Sequence, residues 1–542
     1  MSKATEKILI SLDKAFKKLN YQSLPQISKT KNQMYGDYSS SSPLSLAKET
    51  GQSPIEIAKK IQQELKFDKD FIEDISITNP GFINFKLSKS FYQSIINEVL
   101  LNNKFGSNRS NDGKTANVEF VSANPTGPLT IGHGRNGVIG DIISNILEWN
   151  GYSVTREYYF NNAGRQMRIL GESVKARYLE LIGKPVSFPS GGYKGDYIKD
   201  IALKILKEKG NKLSDKDDNI FKTTAETLMF NNIKKTLSDL KINFDKYSNE
   251  KDYYDNGSID RMLDEFKQMG YIYDKDGATW FNFSKLGHEQ DKVYIKKTGE
   301  PTYRVPDTAY HRDKIERGFD LIVDIFGADH KDAYPDVISA LNALGYNTDH
   351  INVVIYQFVT LIRDRKKIKM STRNADFITI SELIDQLGSD VVRYFFIMRG
   401  VNSHLNFDLN LAEDQSDKNP VFYLQYAHAR ICSILHRTKD LNKKSLKDFD
   451  SNLLNKESEL NLLKQISDFP TVINNACTKL EPQSISIYLN EIASDFHKFY
   501  NECKVISNDS EKTKSRLALI SATKVVLKNG LSILGISAPK KM

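Results

Sequence analysis

The sequence predicts an α/β protein: a Rossmann-like domain on a parallel sheet, flanked by a small α+β domain and an all-α helical bundle. Three observations predict it. A short run of strand formers, VEFV at 118–121, leads into a loop with two prolines and several glycines, then into a helical stretch ending at Trp149. Strand, glycine loop and helix in that order open a doubly wound domain. Apolar runs return at 321–324 and 352–356, as strands buried on both faces require. Beyond about residue 385 the pattern is helical. Ile485, Tyr488, Leu489, Ile492, Phe496, Phe499, Tyr500 and Cys503 recur at steps of three and four, the spacing of a helix in a bundle.

A chain of 542 residues is too long for one hydrophobic core, so two to four domains are expected. Residues 1–112 read as the small mixed domain. A first helix is followed by a serine-rich turn at 38–43, a helix over 54–65, and strand-like alternation over 75–87 around Pro80-Gly81. The polar segment SNRSNDG at 107–113 reads as a linker. Residues 113–395 form the doubly wound domain, with a helix predicted over 136–149 and stopped by Asn150-Gly151. A lysine-rich stretch of about 166–300 reads as helical and irregular insertions, and 396–542 is the bundle.

Hydrophobic residues make up 39% and charged residues 27% of the chain, an ordinary globular balance. The net charge of +8 suits a polyanionic partner, though lysine-rich surfaces also occur without one. Cys432, Cys477 and Cys503 are the only cysteines and form no C-x-x-C pair. Neither a disulfide framework nor a cysteine-based zinc site is expected, and no resident metal is predicted. The N-terminus lacks the apolar core of a signal peptide, and no run of 18 apolar residues occurs. A cytoplasmic monomer without membrane contact is expected.

The stretch ANPTGPLTIGHGRN at 123–136 carries the first chemical signal. A helix N-terminus presents unpaired amides and a partial positive charge, which suits phosphate. Gly132 and Gly134 permit close backbone approach by a nucleotide, and His133 and Arg135 stand beside it as candidate donors to phosphate oxygens. An ordinary glycine-rich turn would carry the same Gly-x-Gly spacing. The longer string EFVSANPTGPLTIGHGR at 119–135 resembles the first signature region of class I aminoacyl-tRNA synthetases, specifically the arginyl members. That resemblance implies catalytic roles around Thr130, Gly132 and His133. The family's first histidine is Thr130 here, whose hydroxyl donates a hydrogen bond but carries no charge; His133 matches the second.

A second basic loop, LIRDRKKIKMSTRNAD at 361–376, packs Arg363, Arg365, Lys366, Lys367, Lys369 and Arg373 into eleven positions. Solvated charge runs are common, but Met370-Ser371 interrupts this one and it follows a strand-like segment. It resembles the family's second signature, whose lysines neutralise departing pyrophosphate. Lys369 is then catalytic, with Met370 and Ser371 at the ATP. The second signature lysine is Thr372, so Lys366, Lys367 or Arg373 is expected to compensate.

Arginine as a substrate is a permanent flat cation that requires acceptors in matching geometry. PTYRVPDTAYH at 301–311 offers Tyr303 and Asp307 four apart, on one face if helical. The segment resembles the arginyl family's guanidinium-binding element, and the same resemblance places Glu119, Ser122, Asn124 and His330 around the bound amino acid. Such a site leaves its acceptors unpaired with the wrong substrate, giving roughly 10⁴-fold discrimination without a separate editing domain.

Two further regions resemble the family's tRNA-binding domains. YGDY at 35–38 and NPGFIN at 79–84 match the N-terminal domain that binds the tRNA elbow, with Asn79, Phe82 and Asn84 as candidates for an unpaired base. VFYLQYAHARI at 421–431 matches the opening of the anticodon-binding bundle, with Tyr426, His428 and Arg430 among its polar members. The implied reaction uses ATP and Mg²⁺, with L-arginine and its tRNA as partners.

Overall fold

The computed structural model describes residues 3–30, 32–162, 164–213, 217–368, 378–438 and 449–542. Five strands lie in the order Ile351–Tyr356, Leu321–Gly327, Thr115–Glu119, Ser153–Phe160 and Lys246–Asn249, every neighbouring pair parallel. Numbered along the chain and read from the Lys246–Asn249 edge this is 3-2-1-4-5, the doubly wound order. Its winding reverses between Thr115–Glu119 and Leu321–Gly327, and such a reversal opens a crevice beyond the strands' carboxyl ends. The register sets Asp324 beside Glu119 and Glu119 beside Glu157. Three carboxylates therefore line up across the sheet just below that crevice.

The helix after the first strand, Ile131–Trp149, is buried along most of its length. It begins five residues earlier than periodicity predicts, because glycines, a histidine and an arginine fill its first turns in place of apolar residues. Gly140 lies against Phe120, where a Cβ would meet ring atoms at 2.2 Å, and Gly134 lies against Ile380 at the same distance. Close packing against Ile380 therefore requires glycine at 134.

The structure corrects three boundary readings. Lys246–Asn249, assigned to an irregular insertion, is the third strand along the chain and an edge strand of the core sheet. Leu405–Asp408, assigned to the bundle, pairs in parallel with Val359–Arg363. Both are four-residue strands whose partners are distant in sequence, so alternation cannot reveal them. Helix Lys89–Leu101, assigned to the N-terminal domain, packs on bundle helices Glu457–Lys479 and Ser510–Ile533, and Gln93 donates to the Leu454 carbonyl at 3.1 Å.

Inserted after the second core strand is a lobe of three helices, Gly164–Leu181, Asp196–Lys209 and Asp218–Asp239, with its own core of Met167, Tyr178 and Phe221. A three-stranded antiparallel sheet spanning Ile272–Lys275, Ala278–Phe281 and Lys292–Ile295 follows. The N-terminal domain sets an antiparallel sheet of Ser28–Lys29, Tyr38–Ser40, Phe82–Leu87 and Ile72–Thr78 among helices Lys3–Lys18, Ser42–Thr50 and Pro54–Glu64. Its YGDY segment works as a tie: Asp37 accepts the Leu87 amide at 2.8 Å and pairs with Lys464 of the bundle at 3.0 Å. Helices Pro420–Arg437, Glu457–Lys479, Gln483–Glu502 and Ser510–Ile533 form that bundle. Among the described residues no helix is long and apolar enough to cross a membrane.

Candidate active site

At the point where the winding reverses lies a cleft of about 320 Å³, lined by Glu119, Ser122, Asn124, His133, Tyr303, Asp307 and His330. The sequence-based reading thus finds its arginine-binding candidates and its signature histidine in one place. Tyr303 caps helix Arg304–Glu316 and is half exposed. Asp307, on the first turn, donates its amide to the Tyr303 carbonyl at 3.1 Å. Burial pushes the Asp307 carboxyl up to about 6, and the nearby Glu119 carboxylate adds to the rise against the cations of His311, His330 and Lys314. This acidic group is short of a cation.

Glu119 is held from two sides. Its Oε1 accepts from Ser122 Oγ at 2.8 Å, and its Oε2 accepts from the buried Lys314 ammonium. A carboxylate has about four acceptor sites, so capacity remains for a substrate. Ser122 also accepts the Tyr159 amide at 3.2 Å, which fixes it as a brace for Glu119. Lys314 reaches Asp324 at 2.6 Å, and His311 Nε2 lies 3.1 Å from the same carboxylate. Burial disfavours charge on Lys314, yet Asp324, Glu119 and Glu157 outweigh it and raise its pKa; the same pairing holds Asp324 well below the usual carboxylate range. Next along the row, Arg317 clasps Glu157 through two donors at 2.8 and 3.1 Å. One helix thereby neutralises the carboxylate row beneath the cleft.

Glu119, His311 and Asp324 offer ligand atoms within 4.8 Å of one another, but the Lys314 ammonium binds two of the three. A second cation does not fit there.

Several cleft residues escaped the sequence reading. Glu250 accepts from Tyr159 Oη at 3.0 Å and from Asn161 Nδ2 at 2.7 Å. Burial pushes it up to about 7, with the Tyr159 bond opposing and Asp307 reinforcing the rise. It follows the short strand Lys246–Asn249, so missing that strand hid it. Asn136 joins strand ends, accepting the Val121 amide at 2.6 Å and donating to the Ile325 carbonyl at 2.9 Å. Lys314 sits seven residues beyond Asp307 and shares its helix face, which helical spacing could have flagged.

At the glycine loop, the Thr130 amide donates to His133 Nδ1 at 3.2 Å, so the ring proton sits on Nε2. Burial holds His133 down at about 4, against a small opposing pull from Asp329. It is a neutral hydrogen-bond donor at physiological pH. A Cβ on Gly132 would meet only Thr130 Oγ1, at 3.8 Å, leaving room for a ligand. Arg135 is corrected: it is fully buried and donates to the carbonyls of Gln357 at 2.5 Å, Ser403 at 3.1 Å and Gly400 at 3.1 Å. Its guanidinium clamps backbone segments and does not reach the cleft.

Lys369, Met370, Ser371, Thr372 and Arg373 lie outside the described residues. Beyond them, Thr379 bridges to Thr130 and the Ile380 amide donates to the Leu129 carbonyl at 3.0 Å, so the start of helix Ile380–Leu387 lies against the glycine loop. Lys366 and Lys367 are exposed opposite Arg363 and Ile362.

His330 is largely exposed at the cleft mouth, stacked on Phe326 with centroids 5.7 Å apart. In the N-terminal domain Asn79 is exposed at a hairpin tip and Phe82 is half-buried beside it. Asn84 is corrected: it is buried and donates to Thr78 Oγ1 at 3.0 Å, which withdraws it from an incoming base. On the bundle, Arg430 lies half-buried between the exposed Tyr426 and Tyr500, 4.4 and 4.7 Å from their ring centroids. His428 is buried on the Pro539 carbonyl at 2.8 Å.

A parallel sheet of this order, with a glycine loop opening the first helix beside an acidic cleft, is the architecture of a class I aminoacyl-tRNA synthetase, and the family described as tRNA synthetases class I (R), catalytic domain, matches residues 95–393. The Arginyl tRNA synthetase N terminal domain matches 3–87, and the DALR anticodon binding domain matches 424–542. The chain is 46% identical over 528 residues to an arginine–tRNA ligase of Salinibacter ruber, covering 94% of each, and 49% identical over 529 residues to that of Chlorobium phaeobacteroides, covering 95% of this chain and 96% of the relative. It belongs to the arginyl-tRNA synthetase family. The Thermus thermophilus arginyl-tRNA synthetase structure shares the fold, with a TM-score of 0.79 at 19% identity over 99% of this chain and 100% of that one.

Proposed function

We propose that this protein attaches L-arginine to its tRNA at the expense of ATP, through an arginyl-adenylate. The observation that carries this is the convergence of Asp307, Tyr303 and Glu119 on a cleft that His133 also lines, next to a Gly132 whose missing Cβ leaves open space. A guanidinium supplies the flat cation those acceptors are short of. Asn124 and His330, at the mouth, face the amino acid's polar end.

The arginine carboxylate attacks the α-phosphorus of ATP, forming a phosphorus–oxygen bond as the bond to pyrophosphate breaks. The terminal ribose 2′-hydroxyl of the tRNA then attacks the carbonyl carbon, and AMP leaves with the electron pair. Positioning and charge neutralisation supply the rate, so no protein nucleophile is required. Neutral His133 donates its Nε2–H to a phosphate oxygen, with Thr130 fixing the ring. Lys369, with Met370 and Ser371, neutralises departing pyrophosphate, and Lys366, Lys367 or Arg373 makes up for Thr372. Mg²⁺ bound with ATP would offset phosphate charge, and the carboxylate cluster of Glu119 and Asp324, already filled by the Lys314 ammonium, would not hold it. Asn79 and Phe82 meet the tRNA elbow, and the Tyr426–Arg430–Tyr500 stack offers flat surfaces to unpaired bases. We place the reaction in the cytoplasm and the enzyme as a monomer.

The test is charging of total tRNA with each amino acid in turn. Arginine alone should be esterified; charging by another amino acid, or none, overturns the reading.

A further inference from the structure

The three-helix lobe inserted between the second and third core strands reaches back to the loop that carries the substrate-facing residues. The Tyr197 hydroxyl, from the first turn of Asp196–Lys209, donates to the Thr126 carbonyl at 2.9 Å. Gln166, from the first turn of Gly164–Leu181, accepts from Asn124 Nδ2 at 2.9 Å. The adjoining segment is tied to the core by Tyr158, whose hydroxyl donates to the Ala123 carbonyl at 2.7 Å. The loop is bent: Val121 and Ser122 hold positive φ of 65° and 42°, a conformation that non-glycine residues keep only when their surroundings enforce it. Gly127 completes the fit, since a Cβ there would stand 3.0 Å from the Tyr197 hydroxyl.

We propose that this lobe is a positioning element for the substrate loop, acting through Tyr197 and Gln166 to hold Asn124 and the approach to Gly132 and His133 in binding geometry. The lobe has its own hydrophobic core, so its fold does not depend on these two bonds. Their role is to transmit the lobe's position to the loop. The inference rests on the reading of the cleft as an ATP and arginine site, and Tyr197 is a positioning residue without substrate contact.

The test uses the full chain with Tyr197→Phe, Gln166→Leu and Gly127→Ala, reading ATP affinity by calorimetry, KM for ATP, arginine and tRNA in aminoacylation, and the melting midpoint. Loss of one hydrogen bond that holds the loop should weaken ATP or arginine binding roughly threefold to tenfold, with tRNA KM and the midpoint unmoved. Gly127→Ala should do the same in the wild-type background and add little to Tyr197→Phe, where the clashing hydroxyl is gone. Unchanged ATP and arginine binding, or losses that track a lowered midpoint, would overturn the proposal. If the wild-type chain fails to charge arginine yet Tyr197→Phe still weakens ATP binding, the functional reading falls and the lobe's role stands.

Discussion

Replacing Asp307 by asparagine keeps the shape of the side chain and one acceptor oxygen but removes the charge. A buried, hydrogen-bonded charge pair loses about 2–5 kcal/mol when one partner is truncated, so kcat/KM for arginine should fall roughly 30-fold to several thousandfold. The lower end is expected, because Tyr303 and Glu119 still face the guanidinium. The pH dependence gives a second signature. Burial lifts the Asp307 carboxyl to about 6, and only its ionised form pairs with arginine. Arginine kcat/KM should therefore hold above pH 7 and decline as pH falls through about 6, by about tenfold at pH 5 relative to the plateau. Asp307→Asn should lose that inflection. The assay is steady-state aminoacylation across pH 5–8 with saturating ATP and tRNA. A variant within threefold of wild type for arginine, or one whose ATP KM rises as much as its arginine KM, would refute a guanidinium role for Asp307.

Lys314→Met should strand Glu119 and Asp324 in a buried site without their cation, costing about 3–5 kcal/mol; a lowered melting midpoint checks this, and an unchanged one contradicts the neutralising role of Lys314. Arg135→Lys keeps charge but not the fork that spans three carbonyls, so the midpoint should drop while ATP KM, measured where the variant is folded, stays within about twofold of wild type. His133, held down at about 4 by burial, stays neutral throughout the working range. His133→Asn, which still offers an N–H, should therefore keep more kcat than His133→Ala, and titration of the ring by NMR should show no protonation between pH 5.5 and 8.

What the sequence conveyed about this molecule followed from local pattern. The strand–loop–helix opening, the apolar strands and the period of the last helices are all written in neighbouring residues, and each stands in the structure, except that Ile351–Tyr356 is an edge strand with Val354 alone buried rather than a strand covered on both faces. Tyr303 and Asp307 stand four apart, as one helix face allows, but the resemblance to the family's guanidinium-binding element is what singled them out. The failures share a cause. Arg135 and Asn84 are polar residues beside a candidate site, and only tertiary placement reveals that distant carbonyls engage Arg135 and that Thr78 engages Asn84. Glu250 reaches the cleft because Lys246–Asn249 pairs with a strand about ninety residues earlier, a separation across which four residues carry no readable signal. Likewise, neither the carboxylate row across three strands nor the helix that neutralises it is visible before the register is known.

The central claim is that the cleft recognises a flat, permanent cation. Citrulline keeps arginine's length and planarity and replaces the guanidinium by a neutral urea, so the ratio of kcat/KM for arginine and citrulline in tRNA charging tests it most directly. Buried acceptors left without their cation predict a preference for arginine of roughly 10⁴-fold. Charging of citrulline within tenfold of arginine would contradict it.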